Sequence, residues 1–214
     1  MAAVAPGDQD WDYPGERVPA PLLNRKVSSC ELDFLHQGNG ANHAILRLVF
    51  KHPQTAASPH APAGTTGLMI NLEVTARVEA PGPIAGQLTV RTIRYAGANN
   101  RASFTIEIPI KGERRVNRFL KVLESANLTP CSFDYVRPDA VGCRDFISQY
   151  LYYLNEAKVL KIPPDSPIYN NFNYRYAAPD VGTRVASNVP KALFENADFV
   201  RAAIPAETYV PEAP

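Results

Sequence analysis

The chain has 214 residues, a length that suits one domain with a single hydrophobic core. Hydrophobic residues make up 45% and charged residues 20%, which excludes chain-wide disorder. A formal charge of +1, from 22 basic and 21 acidic residues without a long run of either sign, leaves no electrostatic footprint for nucleic acid.

No stretch approaches the roughly 18 consecutive apolar residues of a membrane span. The N-terminal "MAAVAPGDQDWDYPGERVP" has neither the basic nor the apolar region of a secretory signal. The expectation is a cytoplasmic protein with no membrane span. Cys30, Cys131 and Cys143 show no C-x-x-C spacing, so they read as free thiols rather than as a disulfide framework or a zinc site. The four histidines also lack metal-ligand spacing near cysteines, and there is no P-loop, dinucleotide fingerprint, G-x-S-x-G or H-E-x-x-H motif. No cofactor and no metal are expected.

In chain order, prolines crowd the first twenty residues and suggest a flexible N-terminal segment over 1–24. A core domain over 25–163 begins with "SCELDFL", where Cys30, Leu32 and Phe34 alternate with Glu31 and Asp33 at the period of a half-buried strand. The two acids read as a solvated face. "HAILRLVF" is more evenly apolar, as in a strand covered on both sides. After the proline-rich stretch 52–67, "LMINLEVTARV", "GQLTVRTIRY" and "ASFTIEIPI" read as three further strands parted by turns, giving an antiparallel meander.

Helical periodicity starts at Glu113, with Val116, Phe119, Leu120 and Leu123 as the buried stripe behind the locally basic "KGERRVNR". "CSFDYV" reads as a short strand, and "CRDFISQYLYYLNEAKVL" as the second main helix. Strands first and helices later predict an α+β fold, a sheet of about five antiparallel strands against two main helices. The segment 164–214 is expected to pack on the core as a C-terminal extension, with a short helix in "VPKALFENADFVRAAIP". Its aromatics suit the core edge, a pocket or a homodimer interface.

Within the second helix, Cys143, Phe146, Ile147, Tyr150, Leu151 and Leu154 share one face, so Cys143 points toward the sheet. In the first turn, free N–H groups and the positive helix end favour a thiolate. Gly142 permits close approach and leaves backbone donors for an oxyanion, and Arg144 would help the thiolate while Asp145 would oppose it. A nucleophilic thiol also needs an imidazole, and His43, at the start of a buried strand, is the candidate. Asn71 and Glu73 fall on one face of their strand, and either could orient the ring, Asn71 being slightly preferred. Asn42 could donate to an oxyanion. The alternative is a Cys143 that merely fills space under the helix, since cysteine is among the most buried residue types.

His43 on a strand, more strands, then Cys143 opening a helix resembles the circularly permuted branch of the papain-like fold. That branch includes the lecithin:retinol acyltransferase-like and desumoylating-type proteins. In it an H-x-x-x-Y/L strand precedes an N-C-x-x-F helix. "HAILRL" and "GCRDFI" stand in those places over roughly 42–154, with Gly142 where the family carries asparagine. The "NH…M…GCRDF" skeleton is also similar to a family of uncharacterised fungal proteins, with Ala44 where a tryptophan is usual there. The resemblance implies a cysteine-dependent acyl-transfer or hydrolytic enzyme acting on a small-molecule amide or ester, in a fungal setting one of specialised metabolism. Two other readings remain. One is a biosynthetic cyclase using His43 as acid–base with Cys143 as pocket lining. The other is a non-catalytic domain that binds a small molecule or protein.

Overall fold

The computed structural model describes residues 8–36, 42–74, 84–95, 102–128, 132–136, 139–141, 143–163, 166–176 and 184–186. Alternating and evenly apolar runs in the first half become long strands: β2 (Lys26–His36), β3 (Asn42–Phe50), β4 (Gly67–Val74), β5 (Ile84–Ile93) and β6 (Ala102–Ile108). A short β1 (Asp10–Asp12) precedes them, and β7 (Arg114–Arg115), β8 (Ser132–Val136) and β9 (Asp139–Val141) follow. The strand order is β6-β2-β3-β4-β5-β8-β9, with β1 added to β5 and β7 to β2. The expected meander holds from β2 to β5, but β6, expected to continue it beside β5, instead returns to pair with the far side of β2. Every pairing within this open sheet is antiparallel. The sheet is therefore larger than the five strands expected, because three-residue and two-residue strands extend it and such short pieces carry no period of their own.

One face of the sheet carries Cys30, Leu32 and Phe34 from β2, Leu46, Leu48 and Phe50 from β3, and Leu68, Ile70 and Leu72 from β4, all in one buried cluster. Two helices close that face, α2 (Val116–Ser125) and α3 (Cys143–Glu156). In α2 the stripe Val116, Phe119, Leu120 and Leu123 is buried as its spacing requires. In α3 Phe146, Ile147, Tyr150, Leu151 and Leu154 are fully buried, and Tyr150 Oη donates to the Phe119 carbonyl at 2.9 Å, tying the helices together. Both helices end with a left-handed residue, Asn127 and Lys158, after which Leu128 N–H and Val159 N–H return to the Leu123 and Leu154 carbonyls. Gly67 begins β4 so close to β3 that a Cβ there would lie 2.3 Å from the Leu48 carbonyl oxygen, so no other residue fits without a backbone shift.

The N-terminal stretch departs from the flexible segment expected for 1–24. In its described part, β1 pairs with β5 and a one-turn helix α1 (Ala20–Leu23) buries Leu22, while Tyr13 and Val18 join the core. Tyr13 Oη donates to Glu124 on α2, which fastens this segment to the helix layer. Here prolines shape a packed connection, because Trp11, Val18 and Leu22 find long-range apolar partners that local composition does not reveal.

The far face of the sheet is also covered at its centre. Asp33 and Arg47 are fully buried there, so the expectation that Glu31 and Asp33 form a solvated face is corrected. Arg47 Nε and Nη2 donate to the two Asp33 oxygens at 2.6 and 3.0 Å, and Nη2 lies 2.5 Å from Glu31 Oε2. Thr105 Oγ1 also donates to Asp33, and the Tyr95 ring stacks over the guanidinium at 5.1 Å. A buried arginine requires this company, since an unpaired charge in the interior costs several kcal/mol.

Of the C-terminal extension, the 3-10 helix Pro167–Asn173 packs Ile168, Tyr169 and Phe172 on the core, and β10 (Tyr174–Tyr176) pairs with β11 (Arg184–Ala186) in a separate hairpin. The helix expected near 189–205 lies outside the described residues. Among the described residues no helix is long and apolar enough to cross a membrane.

Candidate functional site

The ladder between β3 and β4 runs from Val49↔Gly67 to Leu46↔Ile70 and stops, although β3 continues back to Asn42 and β4 on to Val74. Beyond Ile70, β4 stays paired with β5 as far as Val74↔Gly86. The two strands part at this point, and the N-terminus of α3 comes to the gap. There the Ala44 backbone N–H donates to the Cys143 sulfur, and the His43 ring hydrogen-bonds the same sulfur.

The other side of the imidazole meets β4. His43 Nε2 is hydrogen-bonded to Asn71 Oδ1. An amide oxygen only accepts, so Nε2 carries the proton and Nδ1 is left for Cys143. Asn71 is 2% exposed, and its Nδ2 donates to Glu73 Oε1 at 2.7 Å. The side chains thus form a line from Cys143 through His43 and Asn71 to Glu73. Cys143 is part-buried, whereas Cys30 is fully buried in the core.

Electrostatics follow from this contact. Burial pushes the Cys143 thiol up, but the charge and hydrogen bond of His43, the Ala44 N–H and the Arg144 charge outweigh it, and the thiol falls from 9.0 to about 7. Burial opposes the charged form of His43, yet the Cys143 charge and hydrogen bond, the Asn71 oxygen and the Glu73 charge raise it from 6.5 to about 9. Near neutral pH the pair is poised as thiolate and imidazolium. Cys30 shows the contrast, since burial without such a partner pushes its thiol far above the usual range.

Of the residues singled out from sequence, Cys143, His43, Asn71 and Glu73 come together. Arg144 stands beside them and donates from Nη1 to the Phe172 carbonyl at 3.2 Å, which fixes the 3-10 helix to the start of α3. Asn42 is the first residue of β3, paired with His36, and its side chain lies outside the described residues. So do Gly142, Cys131 and the side chain of Asp145. Sequence reasoning missed the Ala44 N–H as a partner of the sulfur, because a main-chain donor has no residue signature. It also missed Phe172 as the anchor of Arg144, because the link spans 28 positions in the chain. Among the described residues no group of three or more His, Cys, Asp and Glu side chains could hold a metal ion.

Comparison with known proteins found no matching family model, no matching curated protein and no matching solved structure.

Proposed function

We propose that this protein is a cysteine-dependent acyl-transfer or hydrolytic enzyme acting on a small-molecule amide or ester, with a permuted papain-like arrangement of its site. The observation that carries the proposal is the hydrogen bond between His43 and a Cys143 whose thiol falls to about 7. A cysteine that only filled space would have no reason to sit at a strand gap facing an oriented imidazole, and its thiol would rise as that of Cys30 does. The same contrast favours a nucleophile over a cyclase in which Cys143 is pocket lining. The order of parts supports the permuted arrangement: His43 on β3, Asn71 on β4, then Cys143 opening α3. Free thiols suit a reducing compartment, so a cytoplasmic location belongs to the same reading.

In the reaction proposed, the Cys143 thiolate attacks the substrate carbonyl carbon and the carbonyl π electrons move to oxygen. Backbone N–H groups at the start of α3 receive that oxyanion. Collapse of the intermediate expels the amine or alcohol, which takes its proton from His43 Nδ1. The acyl group remains on sulfur as a thioester. Neutral His43 then removes a proton from water or an acceptor nucleophile, and the second attack releases the acyl group and restores thiolate and imidazolium. Asn71 holds Nε2–H throughout, keeping Nδ1 on the reacting side.

Incubation with activated aryl esters of short and medium acyl chains, followed by acid quench and peptide mass mapping, tests this. The expected result is an acyl adduct on Cys143, absent from Cys143→Ser and accumulating more slowly in His43→Ala. An adduct spread equally over other nucleophiles, or no adduct from any ester, would overturn the proposal.

A further inference from the structure

We propose that Glu73 is a positioning residue of this site: its carboxylate locks the orientation of the Asn71 amide and so selects the imidazole tautomer that pairs with Cys143. This rests on the reading above and extends it by one residue beyond the three that touch one another around the ring.

The two ends of an asparagine amide are nearly the same size, so shape alone does not decide which end faces His43. Turned the wrong way, the Nδ2 group would face the ring. It would repel Nε2–H of an imidazolium, or in the neutral ring draw the proton onto Nδ1, the nitrogen that must face sulfur. Glu73 removes the choice. A carboxylate accepts and does not donate, so it takes the Nδ2 end at 2.7 Å and leaves Oδ1 for Nε2–H. The spacing is built into the strand, since Asn71 and Glu73 are two apart on β4 and point to the same side. Asn71 is buried and has no exposed alternative orientation, whereas Glu73 is part-exposed and carries its charge without full desolvation.

Among the described residues, the charged and titratable groups around the imidazole come from two elements. Cys143, with Arg144 beside it, approaches from α3, and Glu73, behind the neutral Asn71, approaches from β4. Glu73 adds its negative charge to that of the thiolate in favouring imidazolium, so it acts on charge and on orientation together.

An exchange of the two β4 side chains separates the proposal from a purely structural role. The full chain is prepared as wild type, Glu73→Ala, Asn71→Asp and the double variant Asn71→Asp with Glu73→Gln. The pH dependence of Cys143 alkylation by iodoacetamide is measured with peptide mapping, and ¹⁵N NMR reads the tautomer and titration of His43. Cys30, buried in the core, serves as the fold control because its alkylation rises if a variant opens.

In wild type, His43 is expected as the Nε2–H tautomer when neutral. In Glu73→Ala its titration falls by about one on the pH scale, the size expected for loss of one nearby charge, and the Nδ1–H form appears. Asn71→Asp sets two carboxylates side by side, so they share a proton and no longer fix one acceptor on Nε2–H, and Cys143 alkylation at pH 7 falls severalfold, by no more than the loss of His43 itself would cause. The double variant restores it, because the introduced glutamine amide then donates to the introduced carboxylate and the charge moves next to the ring, and His43 titrates at or above its wild-type position.

A double variant no more reactive than Asn71→Asp, with Cys30 still protected, overturns the role of Glu73. So does a Glu73→Ala protein whose His43 tautomer and titration match wild type. A wild-type Cys143 that titrates at the ordinary value for a thiol overturns the pair itself, and the role of Glu73 with it. If Glu73→Ala exposes Cys30, the double variant, which keeps a hydrogen bond at this position, decides.

Discussion

Replacing His43 by alanine should move the alkylation midpoint of Cys143 from about 7 to 9 or above. The size of the effect is set by the balance at the sulfur. Burial raises the thiol, and the charge and hydrogen bond of His43 are the leading contributions that lower it from 9.0 to about 7. Without the imidazole, burial is opposed only by the Ala44 N–H and Arg144, so the thiol returns at least to its ordinary value. The thiolate fraction at pH 7 then drops from about one half to about 1%, a loss of roughly 50-fold. The rate loss is smaller, because a more basic thiolate is a better nucleophile. With a Brønsted slope of about 0.4–0.5, a rise of two in pKa returns roughly 6- to 10-fold. The variant should therefore react only about 5- to 10-fold more slowly at pH 7, and faster than wild type above pH 9. A rate measured at one pH would understate the effect, whereas the full profile from pH 5 to 10 would not. Iodoacetamide kinetics with mapping of the Cys143 peptide give that profile, and His43→Asn, closer in volume, controls for the cavity. An unchanged midpoint in both variants would refute the reasoning, because it would mean that His43 does not govern the thiol.

Turnover of an ester or amide should follow a bell in pH. The rising limb near 7 marks formation of the Cys143 thiolate, and the falling limb near 9 marks loss of the His43 proton that the leaving group needs; a profile that still climbs at pH 10 would contradict the assignment of His43 as acid. Asp33→Ala leaves fully buried Arg47 without its bidentate partner and should destabilise the fold by about 3–5 kcal/mol in denaturant titration. Removing the whole charged cluster with Asp33→Leu, Arg47→Met and Glu31→Gln should cost much less than the single change. Equal losses in the single and combined variants would argue against a charge-driven penalty.

Much of the fold is legible in the sequence where side chains alternate locally. Cys30, Leu32 and Phe34 declare one face of β2, and the stripe from Phe146 to Leu154 declares the buried face of α3. The even apolar run of β3 also reads correctly as a strand covered on both sides, with Ile45 and Leu46 both buried. Hidden from that reading are features made by partners distant in the chain. Glu31 and Asp33 look solvated until Arg47, 14 positions beyond Asp33, is placed across the ladder from them. Likewise β1 is only three residues long, and its register with Thr89 to Arg91 comes from the sheet, not from its own pattern. At the site, residue types and strand parity mark out His43, Asn71 and Glu73. Their sequence of contacts, and the strand separation that lets α3 reach His43, come from where the β3–β4 ladder ends.

The donor that Ala44 offers to the sulfur belongs to the main chain. Every residue except proline supplies that N–H, so what must persist for the thiolate is the path of the strand, and the fully buried side chain at 44 is limited by core packing and not by the hydrogen bond. The same proton doubles as a native spectroscopic reporter. Its resonance should migrate as the sulfur gains charge and again when the sulfur is acylated, so successive states of the nucleophile could be followed from a backbone amide with no label placed in the pocket.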